Sequence, residues 1–164
     1  MTLTTHIAIA AAITRPIAHV HPALTFVIAL ATHYLSDAIP HWDYELHSPE
    51  RDESTNVKKI SIRHPKFGGD FIKMSLDGTL GLALMWFIVG PVSFETIIWM
   101  GLAAVGSCLP DFLQGVYTIL GLKFLEPVHR FHNRMHTRIR LGPYPLIGVP
   151  FQLAILLIAV YFLI

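Results

Sequence analysis

Four residues able to bind a metal, His33, Asp37, His41 and Asp43, fall within eleven positions of the stretch "ALATHYLSDAIPHWDYE" (29–45). His33 and Asp37 stand four apart and share one helix face. His41 comes four later, after Pro40, whose turn can swing it back toward that face. Imidazole and carboxylate groups at such spacing suit zinc or another divalent ion. A second pair, His132 and His136, recurs at the same interval in "HRFHNRMH". No glutamate lies between them, so this is not the metalloprotease signature. Asp111 follows Pro110 in "CLPDFLQ", and Asp77 sits in "SLDGTLG". Each reads either as the N-cap of an apolar helix or as a ligand. His6 lies inside the first apolar stretch.

Plainer roles compete with ligation. His33 can hydrogen-bond within a bundle while Asp37 caps a neighbour. The histidines of 129–136 can meet lipid headgroups beside Arg130, Arg134 and Arg138. Against this, a carboxylate in or beside an apolar span is expensive unless it is paired or ligating. Asp37 therefore favours the ligand reading.

The elements that must position these groups are apolar. Of 164 residues, 53% are hydrophobic and only 14% are Asp, Glu, Lys or Arg, against about 25% in soluble domains. Mean hydropathy is +0.54. The fold class expected is an all-α integral membrane bundle with four or five membrane segments, one domain over 1–164, and a polar cytoplasmic loop over 41–75. A net charge of +1 points to no nucleic-acid partner. The lone Cys108 excludes a thiolate cluster and reads as a small buried residue. The N-terminal stretch lacks a basic start and a cleavage site before a polar mature chain, so it reads as a retained short helix over 3–15, ended by Arg15-Pro16. Spans are expected at 22–39, 76–89, 92–109 and 143–163, with Pro110 interrupting the third. Between the last two, 111–140 reads as an interfacial helical stretch broken near Gly121 and restarted at Pro127. His19 and His21 read as structural, and His47 and His64 as solvent-exposed.

Orientation follows from Lys and Arg in the connections. The 41–75 stretch carries six of them and 123–140 carries five, whereas the 90–95 turn carries none. Both basic stretches are thus expected in the cytoplasm, although Arg15 disagrees. The hairpin around residue 90 brings Asp77 and Asp111 to one depth, at the end where His6, Asp37 and His41 also arrive.

These residues together resemble a family of small bacterial and archaeal inner-membrane proteins described as membrane-bound metal-dependent hydrolases, with some similarity to zinc-dependent phospholipase C. Thr5-His6 matches an early "TH" in an apolar first helix. Leu109-Pro110-Asp111 matches an "LPD" after a small-residue helix, here "GLAAVGS". His33 and Asp37 match an "H…D" step at a helix end, and "DAIPHWD" resembles an extension seen in related members. His129-Arg130 with His132 and His136 is similar to an "HR…TH" element. The chain departs from the pattern in having "MHT" rather than "THS", and in placing "PHxD" before "LPD".

The resulting expectation is a multi-pass inner-membrane hydrolase acting on an amphiphilic, phospholipid-like substrate. One or two divalent ions, zinc first and manganese or iron as alternatives, would be held by His6, His33, Asp37, His41, Asp111, His132 and His136. Asp43 or Asp77 would orient the attacking water or act as general base. A metal-binding or metal-transporting membrane protein is the alternative. Haem ligation ranks last because it leaves the carboxylates unexplained.

Overall fold

A computed structural model describes residues 1–51 and 57–164; residues 52–56 of the polar stretch lie outside the described residues. The described chain forms six α-helices: α1 (Leu3–Thr14), α2 (Pro22–Asp37), α3 (Phe67–Val89), α4 (Phe94–Leu120), α5 (Glu126–Met135) and α6 (Pro145–Leu163). A small antiparallel hairpin, β1 (Pro49–Arg51) with β2 (Lys58–Ile60), interrupts the polar connection where a loop or short surface helix was expected.

The sequence of α1, "LTTHIAIAAAIT", is apolar on nearly every side, and such a helix belongs in a core. It packs against α2, α3, α4 and α6, with Ile7, Ala8, Ala10 and Ala11 fully covered. Its first N–H groups lack intrahelical partners. Asp77 supplies them: its carboxylate accepts from the Leu3 N–H at 2.6 Å, the Thr4 N–H at 3.1 Å and the Thr4 hydroxyl at 2.7 Å. At the other end the Trp99 indole donates to Thr14 Oγ1 at 3.0 Å.

Helices α3, α4 and α6 are long and apolar enough to cross a membrane. Large apolar side chains stand exposed along them, among them Leu80, Phe87, Leu146 and Phe162, as lipid-facing surfaces require. Helices α1 and α2 have 12 and 16 residues, or about 18 and 24 Å, short of a hydrocarbon core about 30 Å thick. Gly90 closes α3 at φ 61°, and Ser93 caps α4 by accepting from the Thr96 N–H. Gly121, at φ 64°, ends α4 where the break was expected.

Two expectations need correction. Helix α3 begins at Phe67, within the stretch read as loop, because its first turns are amphipathic: Asp70 turns inward and accepts from the His47 and Ser48 N–H groups at 2.7 Å each. Helix α4 runs through Pro110, so Asp111 sits mid-helix and caps nothing. A proline removes one helical hydrogen bond, which packed membrane helices tolerate when neighbours satisfy the freed groups.

Close helix approach is set by small residues. A Cβ on Gly106 would lie 2.8 Å from the Phe26 carbonyl oxygen of α2 and 2.9 Å from Ala29 Cβ, whereas one on Gly101 would meet nothing within 4 Å. Gly106→Ala should therefore cost about 1–3 kcal/mol through overpacking. Gly101→Ala should be neutral or stabilising by up to about 1 kcal/mol. Thermal unfolding of the two detergent-solubilised variants checks the contrast.

Candidate metal centre

Helix α2 ends with His33, Ser36 and Asp37 turned into the bundle, all buried. Helix α1 brings His6, α4 brings Asp111, and α5 brings His132 with His136 at its C-cap. The chain after α5 is pinned back on α2: the Thr137 N–H donates to the Asp37 carbonyl at 2.8 Å, and the Leu141 N–H to that of His41 at 3.2 Å. These bonds hold His136 beside His41, with ring centroids 4.8 Å apart.

The side chains form two groups that share Asp37. In the first, His33, Asp37, Asp111 and His132 offer ligand atoms all within 4.8 Å of one another; in the second, Asp37, His41 and His136 do the same. The Asp37 oxygens are divided between them. Oδ2 lies 3.2 Å from His33 Nε2 and 3.7 Å from His132 Nε2. Oδ1 lies 3.8 Å from His41 Nε2 and 3.2 Å from His6 Nε2. Asp111 Oδ1 stands 3.8 and 3.7 Å from His33 and His132. Asp43 Oδ2 stands 3.2 and 3.8 Å from His41 and His136. Bonds of 2.0–2.1 Å in a tetrahedral site put neighbouring ligand atoms about 3.3 Å apart, so modest contraction would suffice.

The tautomers favour a cation. A carbonyl oxygen only accepts, so His33 Nδ1, 2.7 Å from the Ser107 carbonyl oxygen, carries a proton. The same holds for His41 against Ile39 at 2.7 Å and for His136 against Thr137 at 3.2 Å. The Ser36 hydroxyl donates to the His33 carbonyl at 2.9 Å and therefore accepts from His6 Nδ1 at 3.0 Å. In each neutral ring the Nε2 lone pair faces carboxylate oxygens, the orientation that outer hydrogen bonds impose on metal-ligating histidines. Charging all the rings instead is unfavourable: His6 and His33 stack at 4.1 Å, and both are buried without a hydrogen-bond partner on Nε2. Burial and the nearby His33 push His132 down to about 4, and burial likewise lowers His136, so both keep lone pairs at neutral pH. The Met1 ammonium lies 3.1 Å from Asp37 and 2.8 Å from Asp43, a positive charge against these carboxylates.

The remaining expected site residues sort by geometry. Asp43, 45% exposed, borders the second group at its open edge. The Asp77 carboxylate holds the start of α1 and also accepts from the Tyr44 hydroxyl at 3.3 Å. His129 is engaged by Gln114 and Asn133 through both ring nitrogens. His21 caps α2 by accepting from the Ala23 N–H. Sequence reasoning missed the Ser107 and Ile39 carbonyls and gave Ser36 no task. The signal for Ser36 was its place between His33 and Asp37, and for Ser107 its place just before the helix-disturbing Pro110.

The chain matches no family model, no curated protein and no solved structure. What its own structure supports is a membrane-embedded helical protein with a buried His/Asp cluster able to hold a divalent metal.

Because Asp37 serves both groups, Asp37→Asn should lose more bound metal than Asp111→Asn or His136→Ala. His129→Ala should lose none. Ser36→Ala, which frees the His6 ring, should weaken metal binding by about 10–100-fold. Elemental analysis of purified variants, dialysed against graded chelator, gives the order.

Proposed function

We propose that this chain is a metal-dependent hydrolase of the inner membrane, acting on an amphiphilic phosphoester at the cytoplasmic interface. The observation that carries the reading is the set of four imidazoles, His6, His33, His41 and His136, each holding its Nδ1 proton away from the carboxylates and turning Nε2 toward them. The resemblance to membrane-bound metal-dependent hydrolases adds support through His6, His33, Asp37, Asp111 and the 129–136 element. A His/carboxylate donor set suits zinc, with manganese and iron as alternatives. A divalent ion held by these residues would supply Lewis-acid polarisation of a phosphoryl oxygen and a water acidified toward neutral pH.

The chain's own residues divide the work. In the first group His33, Asp37 and His132 are buried and Asp111 is partly exposed, which suits retention. The second has an open edge formed by Asp43 and His136, where a substrate headgroup can enter. Arg140, paired with His41 through a backbone bridge, and Arg138 stand exposed next to that edge in sequence and suit a phosphoryl oxygen. Asp43 is the candidate base, since it accepts a proton without being needed by the buried group. Asp77 becomes a positioning residue through α1, which carries His6. The eleven basic residues of 41–75 and 123–140 support a cytoplasmic location for this end of the bundle.

Two measurements decide these points. In a Cys108→Ser background, cysteines introduced at Ser61 and Arg138 should resist an impermeant thiol reagent in intact cells; labelling of either reverses the orientation. Asp43→Asn should keep metal in the buried group yet slow phosphoester turnover by about 10²–10⁴-fold, while Asp77→Asn should lower thermal stability. A metal-loaded chain that hydrolyses nothing across an ester, amide and phosphoester panel would put metal binding or transport ahead.

A further inference from the structure

Away from the metal centre, a groove of about 720 Å³ lies between the end of α4, the outer face of α5 and β2. Lys58, Lys123, Arg130 and Arg134 line it, and the one lining carboxylate among the described residues, Glu126, is held by Arg130 at 2.5 Å. Lys58, Lys123 and Arg134 have no carboxylate partner among the described residues.

The floor is neutral and closed. Tyr117 lies against the His129 ring, centroids 4.4 Å apart. His129 Nδ1 donates to Gln114 Oε1 at 2.7 Å, its Nε2 accepts from Asn133 Nδ2 at 2.9 Å, and Gln114 Nε2 donates to Asn133 Oδ1 at 3.3 Å. Among the described residues, no negative group on that floor answers the cations around it. Beside the groove, Leu120 and Phe124 are 63% and 73% exposed, at the end of membrane-length α4. Cations over a neutral floor, next to bare apolar side chains at a helix end, match an amphiphile with an anionic head. A soluble anion would leave the apolar flank without a partner.

We propose that this groove holds the phosphate headgroup of an anionic phospholipid from the surrounding bilayer, at a site separate from the metal centre. Basic pockets at the ends of membrane helices bind such headgroups. The site does not depend on the hydrolase reading. Its consequence for the centre is mechanical: α5 carries His132 on another face, so a headgroup seated on Lys123 and Arg134 ties that helix to the end of α4.

The test is native mass spectrometry of the full chain in detergent, titrated separately with phosphatidylglycerol, phosphatidylcholine and inorganic phosphate. Phosphatidylglycerol should bind at least about tenfold more tightly than phosphatidylcholine. Each groove cation removed should cost about fivefold, so Lys123→Gln with Arg134→Gln should weaken phosphatidylglycerol by about 25-fold and leave phosphatidylcholine alone. Arg63→Gln, outside the groove, should change neither. Bound metal in the double variant, measured in parallel, should stay at the wild-type level. Equal binding of the two lipids, or an unaffected double variant, overturns the proposal. Inorganic phosphate binding as tightly as phosphatidylglycerol overturns the lipid assignment in favour of a free-phosphate site.

Discussion

Asp37 is a carboxylate 2% exposed at one end of a bundle whose outer surface is apolar. Burying a charge in such surroundings costs several kcal/mol unless it is paired. Neutral imidazoles alone do not repay that cost, because their lone pairs face the same oxygens. The Met1 ammonium, 3.1 Å from Oδ1, answers one side of the carboxylate, and a divalent cation among the donors that four separate segments bring to this residue would answer the other. His6 comes from α1, Asp111 from α4 and His132 from α5, while His33 and His41 flank Asp37 along the chain. The fold around the centre is an answer to one buried charge.

That answer requires short distances between backbones. Gly106 lets α4 approach α2 closely enough for the Ser107 carbonyl to reach His33. Gly81 does the same for α3 against α1, where a Cβ would come within 2.9 Å of the Thr4 Cα. The last carbonyls of a helix lack intrahelical partners. In α2 one of them, that of Asp37, accepts from Thr137 and so locks the segment after α5 against the centre. Helix packing and ligand placement are thus one set of contacts, and a change in either moves the other.

Much of this was legible from residue types. His33, Asp37, His132 and His136 stand at helical intervals, and Pro22, Gly90, Gly121 and Pro127 mark element ends that the structure keeps. What escaped notice was long-range or amphipathic. Asp77 lies 73 residues from Thr4, and nothing local announces that it caps a different helix from its own. Hydropathy places the start of α3 at residue 76 because its first turns carry Asp70 and Lys73, yet those turns are helical with Asp70 buried. Pro110 reads as a break in water-based reasoning, but in a packed membrane helix it only disturbs the backbone. The hairpin of β1 and β2 rests on two short exposed segments with no strong periodicity.

The two groups of the centre are unequal, and the inequality bears on the charge of anything that enters. With neutral histidines, the carboxylates of Asp37, Asp43 and Asp111 and the Met1 ammonium between them leave two net negative charges. One divalent ion would bring the cluster to neutrality and offer a phosphoester anion no net attraction at the open edge. A second ion would make the sum positive and that edge attractive. The division of the Asp37 oxygens, one toward each group, provides for that second ion without a further carboxylate. An anionic substrate would therefore be drawn better to a doubly loaded centre than to a singly loaded one. The first group, with His33, Asp37 and His132 buried and Asp111 partly exposed, would retain an ion. The open group beside Asp43 would gain and lose its ion more readily, so the sign of the field met by a headgroup depends on the occupancy of that outer half.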